Sequence, residues 1–230
     1  MVRKIVAIGG GEIGLGETTH IDRRIVQLSG KALPSLLFLP TASGDAEGYI
    51  ETVDRCFSRL GCRVSVLRLL NPSSEREQVR QRILSSDIVY IGGGSTSQLM
   101  TICTSLHLQY DLHEACDQGT VLAGISAGAI CLFKAGPSDS LFDESETQSV
   151  TNGWTKGFGF LPYLHCPHYD EVGHTFDKLM RTASGQAIAL ENGTAVVSLD
   201  GRVSIIKEKA DANVWQVLWE GNRLIKKRWD

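Results

Sequence analysis

Residues 121–129 read Val-Leu-Ala-Gly-Ile-Ser-Ala-Gly-Ala, an apolar run that meets a G-x-S-x-G pentapeptide and continues into a helix-like segment ending at Phe133. This order predicts a buried strand, a sharp turn with Ser126 at its apex, and then a helix. Glycines on both sides of the serine leave room in a strained turn, where a neighbouring Cβ would crowd the backbone. The pattern favours a nucleophile elbow, and the alternative is a tight strand-to-helix turn that carries a buried polar residue.

Strand-like and helix-like segments alternate along the first half of the chain. Apolar runs typical of strands lie at Val2–Ile8, Ser35–Leu39, Cys62–Leu70, Asp87–Ile91 and before Ser126, and the segments between them carry apolar residues at helical spacing. This alternation predicts a doubly wound α/β fold with a mostly parallel sheet and helices on both faces, as in flavodoxin-like proteins. Functional sites in such sheets lie at the carboxyl ends of the strands.

Glycine-rich loops follow two of these predicted strands. Gly9–Gly11 comes after the first strand and resembles a phosphate-binding loop, but no complete nucleotide-binding motif is present. We expect these glycines to permit a close approach of the backbone at the rim of a site near Ser126.

The second half of the chain changes its pattern. The polar stretch Asp139–Asn152 predicts a long surface loop, which in compact proteins is often a lid or a binding loop. From Ala187 onward short strands are separated by Asn192-Gly193 and Asp200-Gly201, dipeptides typical of two-residue hairpins, and a last hairpin is predicted around residues 220–222. No linker interrupts the chain, so we expect one domain over residues 1–230, with the antiparallel hairpins extending or flanking the sheet.

Composition excludes several classes of function. The chain has 230 residues, 42% of them hydrophobic, and a formal net charge of −3, which provides no electrostatic footprint for nucleic acid. No apolar run is long enough to cross a membrane and no signal-peptide pattern is present, so we expect a cytoplasmic protein. We also expect a monomer or a weak homodimer. The six cysteines are scattered without a C-x-x-C pair, and neither a metal nor another cofactor is expected.

A serine nucleophile needs a base and a group that orients the base. His165 and His168 lie in an irregular segment where a strand should end, and we favour His168 because it follows Pro167, which restrains the backbone. Glu191, directly after an apolar strand, is the favoured orienting acid. Asp170 is the alternative, because at two residues' spacing in an extended segment it could share a face with His168.

An oxyanion hole requires two N–H donors near the developing charge. Ala127 follows the serine at the predicted helix start and can supply one donor. The loop Gly92-Gly93-Gly94 can supply the other if its strand is adjacent to the elbow. The same loop begins a predicted helix, so it could instead, or in addition, bind an anion such as a substrate carboxylate.

Taken together, these residues resemble the serine peptidase family of peptidase E (aspartyl dipeptidase) and cyanophycinase, whose fold is similar to that of class I glutamine amidotransferases. The resemblance covers most of the chain, and the pieces around Ser126 and His168 are its most specific parts. Ser95 stands where many relatives carry asparagine. In chain order the matching pieces are Ile91–Leu99, Gly124–Ala129, Ser138-Asp139-Ser140, Cys166-Pro167-His168-Tyr169 and Leu190-Glu191-Asn192-Gly193.

The resemblance implies a Ser-His-Glu triad, which maps onto Ser126, His168 and Glu191. It also implies an oxyanion hole built from Gly93, Gly94 and Ala127. We further expect substrate contacts from Gly92, Ser95 and Asp139.

The expected function is hydrolysis of a peptide bond in small peptides through an acyl-enzyme, as a dipeptidase or exopeptidase. Serine rather than cysteine at the elbow favours hydrolysis over ammonia transfer. Peptidase E cleaves dipeptides that begin with aspartate, so an Asp-X substrate is one expectation. The alternatives are an esterase or other acyl hydrolase with the same site, thiol chemistry through Cys166, and a non-catalytic relative that binds its ligand.

Overall fold

The protein is seen in a computed structural model that describes residues 1–70, 75–141 and 153–229. The predicted loop Asp139–Asn152 falls mostly outside these ranges, and its first three residues form a short 3-10 helix. In chain order the strands and α-helices are β1 (Lys4–Ile8), α1 (Thr19–Ser29), β2 (Ser35–Leu39), α2 (Glu47–Arg59), β3 (Arg63–Val66), α3 (Arg76–Leu84), β4 (Ile88–Ile91), α4 (Thr96–Ser105), α5 (Leu108–Asp117), β5 (Val121–Ile125), α6 (Ala127–Leu132), β6 (Phe133–Pro137), β7 (Trp154–Lys156), β8 (Leu161–Cys166), α7 (Tyr169–Leu179), β9 (Gln186–Leu190), β10 (Thr194–Leu199), β11 (Arg202–Lys207), β12 (Val214–Glu220) and β13 (Arg223–Trp229).

The first sheet has the strand order β11-β10-β1-β5-β4-β2-β3. Its strands β1, β5, β4, β2 and β3 are parallel, and β10 and β11 add to the β1 edge in antiparallel pairing. Strand β5 lies between β1 and β4, with Ile125 opposite Ile8 and Gly124 opposite Ile91. The carboxyl ends of β1 and β4 therefore flank Ser126, and both glycine-rich loops begin beside it.

Helices cover both faces of this sheet because β5 is apolar on both sides. Val121, Ala123 and Ile125 pack in a core with α1 and α2, whereas Leu122 packs in a second core with α3, α4 and α5. A strand buried on both faces has a continuous apolar run rather than an alternating one. The predicted α/β class, with mostly parallel strands, flanking helices and antiparallel strands near the carboxyl end, is confirmed.

A second sheet, which the sequence analysis did not predict, contains the later strands in the order β13-β12-β9-β8-β6-β7. Its central pairs β6–β8 and β8–β9 are parallel, and its outer pairs are antiparallel. Helix α7 packs on it through Phe176, which joins a core with Leu164 and Val217. Strands β8 and β9 thus end near the site from a different sheet than β5.

The Asn192-Gly193 dipeptide does not form the predicted hairpin. It joins β9 of the second sheet to β10 of the first, so the strands on its two sides are not paired with each other. The other two predicted hairpins are confirmed, because Leu199 pairs with Arg202 and Glu220 pairs with Arg223. None of the helices in the described part of the chain combines the length and the apolarity needed to cross a bilayer.

Candidate active site

Ser126 occupies a strained turn between β5 and α6. Its backbone has φ 54° and ψ −114°, a region that non-glycine residues rarely adopt, and its N–H donates to Ile8 O at 3.1 Å. A Cβ on Gly124 would overlap the backbone of Gly128, and a Cβ on Gly128 would overlap the backbone of Ile91. Both glycines of the pentapeptide are therefore needed for the helix to start so close to the sheet. The serine itself is half-buried rather than enclosed.

His168 lies within hydrogen-bond distance of the serine. Its Nε2 is 2.9 Å from Ser126 Oγ. His168 follows β8, adopts φ 49° as the residue before α7, and donates its backbone N–H to Gly9 O at 2.9 Å. The strand end, the helix start and the β1 loop together hold the imidazole over the elbow.

His165, the weaker of the two sequence candidates, has a structural position. It is fully buried, its ring stacks on Phe133 with centroids 4.3 Å apart, and its Nδ1 lies 2.9 Å from Ile188 O. Burial lowers the pKa of His165 to about 3, so the ring stays neutral at physiological pH. The structure brings His168, and not His165, to Ser126.

Asn192 is the partner of the histidine on its other side. Its Oδ1 lies 2.7 Å from His168 Nδ1, and its Nδ2 donates to Asp170 Oδ2 at 3.1 Å and to Glu171 Oε1 at 2.5 Å. Carboxylates only accept, so Nδ2 must face them and Oδ1 must accept from the imidazole. The proton of His168 then resides on Nδ1, and Nε2 is free to accept the proton of the serine hydroxyl.

Glu191, the favoured orienting acid, makes no hydrogen bond to His168 in the described protein. The Glu191 carboxylate accepts from Asn213 N at 2.7 Å and from Trp215 Nε1 at 2.9 Å. Successive residues leaving a strand point to opposite sides, so placing Asn192 against His168 turns Glu191 toward the start of β12. Glu191 therefore ties β9 to β12, and its carboxylate lies away from the imidazole hydrogen bond.

Asp170, the alternative acid, contacts Asn192 rather than His168 itself. Its Oδ1 accepts from the backbone N–H of Asn192 at 3.0 Å, while Oδ2 accepts from the side-chain amide. Asp170 and Glu171 are the first acidic residues of α7, so the same helix that begins at His168 also fixes the amide that orients it. Sequence analysis missed Asn192, although it lies next to Glu191 in the same motif.

The Gly9–Gly11 loop makes the close approach that was predicted for it. A Cβ on Gly10 would overlap Asn192 Oδ1 and the ring of His168, and a Cβ on Gly9 would lie 2.6 Å from the Cβ of Leu190. The loop can pass beneath the His168–Asn192 pair only because Gly10 has no side chain.

The Gly92-Gly93-Gly94 loop runs alongside the elbow as expected. A Cβ on Gly93 would lie 3.3 Å from the Cβ of Ser126, and Gly94 has φ 133° with no room for a side chain beside Ala42. The N–H of Gly93 donates to Tyr49 Oη at 3.4 Å, whereas that of Gly94 has no acceptor among the described residues. Ala127 is the first residue of α6, and its N–H precedes the helical hydrogen-bond ladder. Gly94 and Ala127 therefore have backbone N–H groups beside Ser126 that donate to no described acceptor.

Tyr49 was not anticipated from the sequence. Its ring meets that of Phe38 edge-on with centroids 5.2 Å apart, and a Cβ on Gly92 would lie 2.9 Å from it. Burial raises the pKa of the Tyr49 hydroxyl to about 12, so the group remains protonated. The side chain braces the glycine loop from the α2 side.

The residues expected to contact substrate beside this loop have structural contacts in the described protein. Gly92 is buried and donates its N–H to Leu39 O at 3.0 Å. Asp139 accepts from Ser95 Oγ at 2.8 Å and from Thr96 N and Ser97 N at 3.1 and 3.0 Å. Asp139 and Ser95 thus cap α4 together, and none of Gly92, Ser95 and Asp139 lines the cavity described next.

The Ser126–His168 pair opens into a cavity of about 1250 Å³. Its walls come from the β1 loop, α2, the glycine loop after β4, the start of α7 and the turn after β9. Cys166 is fully buried outside this lining, and burial raises the pKa of its thiol well above the ordinary value, which argues against thiol chemistry. Within the described ranges no three His, Cys, Asp or Glu side chains converge as metal ligands would.

Comparisons with known proteins find relatives among peptidases. The family model for peptidase family S51 matches residues 5–206. An uncharacterized peptidase of Bacillus subtilis strain 168, YgaJ, is 36% identical over 170 residues, which cover 74% of this chain and 70% of that protein.

Two solved structures share the fold at lower sequence identity. A peptidase from an acI-B1 Actinobacterium superposes with a TM-score of 0.73 at 21% identity, covering 100% of this chain and 98% of its own. A Listeria monocytogenes EGD-e protein provisionally assigned to peptidase E superposes with a TM-score of 0.69 at 15% identity, covering 91% of this chain and 100% of its own. The extent of the family match shows that the chain belongs to peptidase family S51, the peptidase E family, and is a serine-type peptidase.

Proposed function

We propose that the chain cleaves peptide bonds in small peptides through an acyl-enzyme on Ser126, with His168 as the base and Asn192 as the residue that orients it. His168 Nε2 takes the hydroxyl proton as Ser126 Oγ attacks the scissile carbonyl carbon. The imidazolium then gives this proton to the departing amine, which leaves the acyl group as an ester on Ser126. Water attacks the ester while losing a proton to the same nitrogen, and the imidazolium then gives this proton to Ser126 Oγ as the acid product leaves.

The observation that carries this proposal is the 2.9 Å contact between Ser126 Oγ and His168 Nε2 at the strained elbow. A turn that holds a non-glycine residue at positive φ is costly and is commonly kept for a functional reason. The hydrogen bond from His168 Nδ1 to Asn192 supports the same assignment, because it leaves the lone pair on the nitrogen that faces the serine. An amide in this position serves the same purpose as the asparagine of Cys-His-Asn sites in papain-like proteases.

The negative charge of the tetrahedral intermediate would be received by the N–H groups of Gly94 and Ala127. Both lie at the elbow, and the α6 start adds the partial positive charge of a helix amino terminus. Gly93, also expected as a donor, would contribute only after leaving Tyr49 Oη. The tyrosine instead holds the loop at the position that Gly94 requires.

The substrate scope proposed here is that of an exopeptidase or dipeptidase, in keeping with the resemblance to peptidase E. An Asp-X preference, also implied by that resemblance, would need a cation to receive the aspartate side chain. Lys209 is the only cationic side chain among the described residues that line the cavity, and its Nζ lies 3.9 Å from Glu17. The machinery of bond cleavage and the choice of first residue are therefore separate questions.

A fluorophosphonate probe tests the nucleophile directly. We expect the wild-type protein to be labelled on Ser126, Ser126→Ala to be unlabelled, and peptide hydrolysis by that variant to fall by at least about 10⁴-fold. The matched control is Ser97→Ala, an exposed serine on α4 outside the cavity, which should retain labelling and turnover. Equal labelling of the wild type and Ser126→Ala would refute the proposal.

Two other functions are alternatives to a peptidase. An esterase would share every residue named above, and rates on short peptides against p-nitrophenyl esters separate it from a peptidase. A non-catalytic relative would be expected to hold its serine and histidine too far apart to hydrogen-bond, and the 2.9 Å contact argues against it.

A further inference from the structure

The cavity beside Ser126 has an uneven distribution of charge. Glu12, Glu17, Asp170 and Glu171 line it, against the single cation Lys209 within the described lining. With His168 neutral, four carboxylates and one ammonium give this cavity a formal charge of −3, as large as the net charge of the whole chain. The cavity that the substrate must enter thus carries four acidic side chains against one basic one.

From this charge distribution, and resting on the proposed function, we propose that the enzyme selects peptides whose first residue is basic, lysine or arginine with a free α-amino group. The same charges disfavour a first residue that carries a carboxylate.

No close cation pairs with these carboxylates among the described residues. Asp170 and Glu171 accept hydrogen bonds from the neutral amide of Asn192. Glu17 accepts from the backbone N–H of Glu12 at 2.9 Å, and Glu12 is exposed with no ion pair in the described protein. The contact of Glu17 with Lys209 is long, at 3.9 Å between side chains that are 38% and 68% exposed, and such pairs contribute little.

The carboxylates lie on two sides of the reacting pair. Glu12 and Glu17 follow the β1 loop, which passes under His168, and Asp170 and Glu171 begin α7, which starts at His168. A cleft lined by one sign of charge focuses the field between its walls and concentrates ligands of opposite sign. A basic side chain and an α-ammonium group therefore both gain by entering, whereas an aspartate side chain meets like charge from either side.

The test is a series of dipeptides with alanine second and lysine, arginine, norleucine or aspartate first. Norleucine has the length of lysine without its charge and isolates the electrostatic contribution. We expect kcat/KM for the lysine and arginine peptides to exceed that for norleucine by about tenfold at low salt, and that for aspartate to lie about tenfold below. Added salt should compress both ratios, because exposed charges are screened.

Two glutamates outside the catalytic pair allow the charge to be changed. The double variant Glu12→Gln and Glu17→Gln should lower the ratio of lysine to norleucine rates about tenfold. Glu77→Gln on α3, exposed and outside the cavity, is the matched control and should leave the ratio unchanged. Equal or faster cleavage of the aspartate peptide, or a lysine preference that survives both the double variant and high salt, would overturn the inference.

Failure of the inference is distinguishable from failure of the proposed function. Hydrolysis without the expected charge preference refutes only the inference. Where turnover is slow, the same peptides can be ranked by how well each protects Ser126 from the fluorophosphonate, and protection by the aspartate peptide equal to that by the lysine peptide counts against the inference. A protein that neither cleaves peptides nor reacts with the probe contradicts both.

Discussion

Two strand ends meet at the active site, and they belong to different sheets. Ser126 follows β5 of the first sheet, in a turn whose glycines, apolar strand and helix are all adjacent in sequence. Asn192 follows β9 of the second sheet, and its position depends on Gly10, His168, Asp170 and Glu171. The turn at Ser126 after β5, the first junction, is formed by residues adjacent in sequence. The turn at Asn192 after β9, the second junction, is held by contacts with distant segments.

This difference explains which sequence predictions held. The elbow motif describes a local conformation, so reading it requires no knowledge of the rest of the fold. The choice between Glu191 and Asn192 depends on which way each side chain leaves β9, and that is decided by the pairing of β9 with β12 and β8. A shift of one residue in this pairing would exchange the directions in which the two side chains point.

Among the substitutions that compare the two strand ends, the largest effect is expected for Gly10→Ala, which lies outside β9 but beside Asn192. The added Cβ would overlap both His168 and Asn192, so the pair must separate or the loop must move. We expect kcat/KM to fall by about 10³-fold, since a misplacement of about 1 Å can already cost about 100-fold. Gly48→Ala, which lines the same cavity with nothing within 4 Å of its added Cβ, should retain activity. Near wild-type turnover by Gly10→Ala would show that the pair does not need its present position.

Substitutions at the two adjacent residues after β9 compare them directly. Asn192→Ala removes the acceptor of the His168 Nδ1 proton and should lower kcat about 100-fold, while Glu191→Gln should change kcat by less than about threefold. Glu191→Gln keeps the size of the side chain but only one acceptor oxygen, so either Asn213 N–H or Trp215 Nε1–H loses its acceptor and the main effect should be on the melting temperature. Steady-state kinetics with thermal melts of both variants provide the comparison. A larger kinetic loss in Glu191→Gln would restore the Ser-His-Glu assignment.

A smaller effect is expected at the first junction from Tyr49→Phe. The substitution keeps the ring against Phe38 but removes the hydroxyl that accepts from Gly93 N–H. The oxyanion loop loses one restraint, so we expect kcat to fall about fivefold to tenfold with KM nearly unchanged. Tyr110→Phe, at an exposed position on α5, is the control. A change confined to KM would indicate that Tyr49 contacts substrate rather than supporting the loop.

The smallest effect on catalysis is expected for Asp22→Asn. This substitution should change the free energy of unfolding instead. Asp22 is buried on α1, accepts from Thr18 Oγ at 2.8 Å, and has its other oxygen unpartnered within the described protein. Burial raises the pKa of this carboxyl to about 7, with a further contribution from Glu208, a residue whose N–H donates to Gly193 O beside Asn192. The carboxyl is thus held in its protonated form by the folded chain.

The pH dependence follows from this raised pKa. The folded protein holds the Asp22 proton more tightly than the unfolded chain, so the contribution of this group to stability is fully present below about pH 4 and is lost as the pH rises through about 7. Asp22→Asn cannot ionise, and its free energy of unfolding should exceed that of the wild type by roughly 4 kcal/mol above pH 7, with little difference at pH 4. Urea unfolding across this range measures the difference, and parallel pH profiles would contradict the assignment. Hydrolysis at Ser126 should be unaffected.

Much of the fold could be predicted because strands buried on both faces leave a continuous apolar run. The boundaries of β2 match the predicted strand Ser35–Leu39. The second sheet could not be separated from the first, since β9 and β10 are adjacent in the chain and only nonlocal pairing assigns them to different sheets. The failed Asn192-Gly193 hairpin has the same cause.

The sequence by itself pointed to Ser126 as the candidate nucleophile, because the elbow is a strand, two glycines and a helix in direct succession around this residue. It also pointed to His168 as the candidate base and to the glycine loops as close neighbours of the site. Only the tertiary structure decided that Asn192 rather than Glu191 faces the imidazole, and that four carboxylates share the cavity with one lysine. Local conformation is encoded by neighbours along the chain, whereas the direction of a side chain at a strand end and the sum of charges in a cavity depend on segments that meet only after folding.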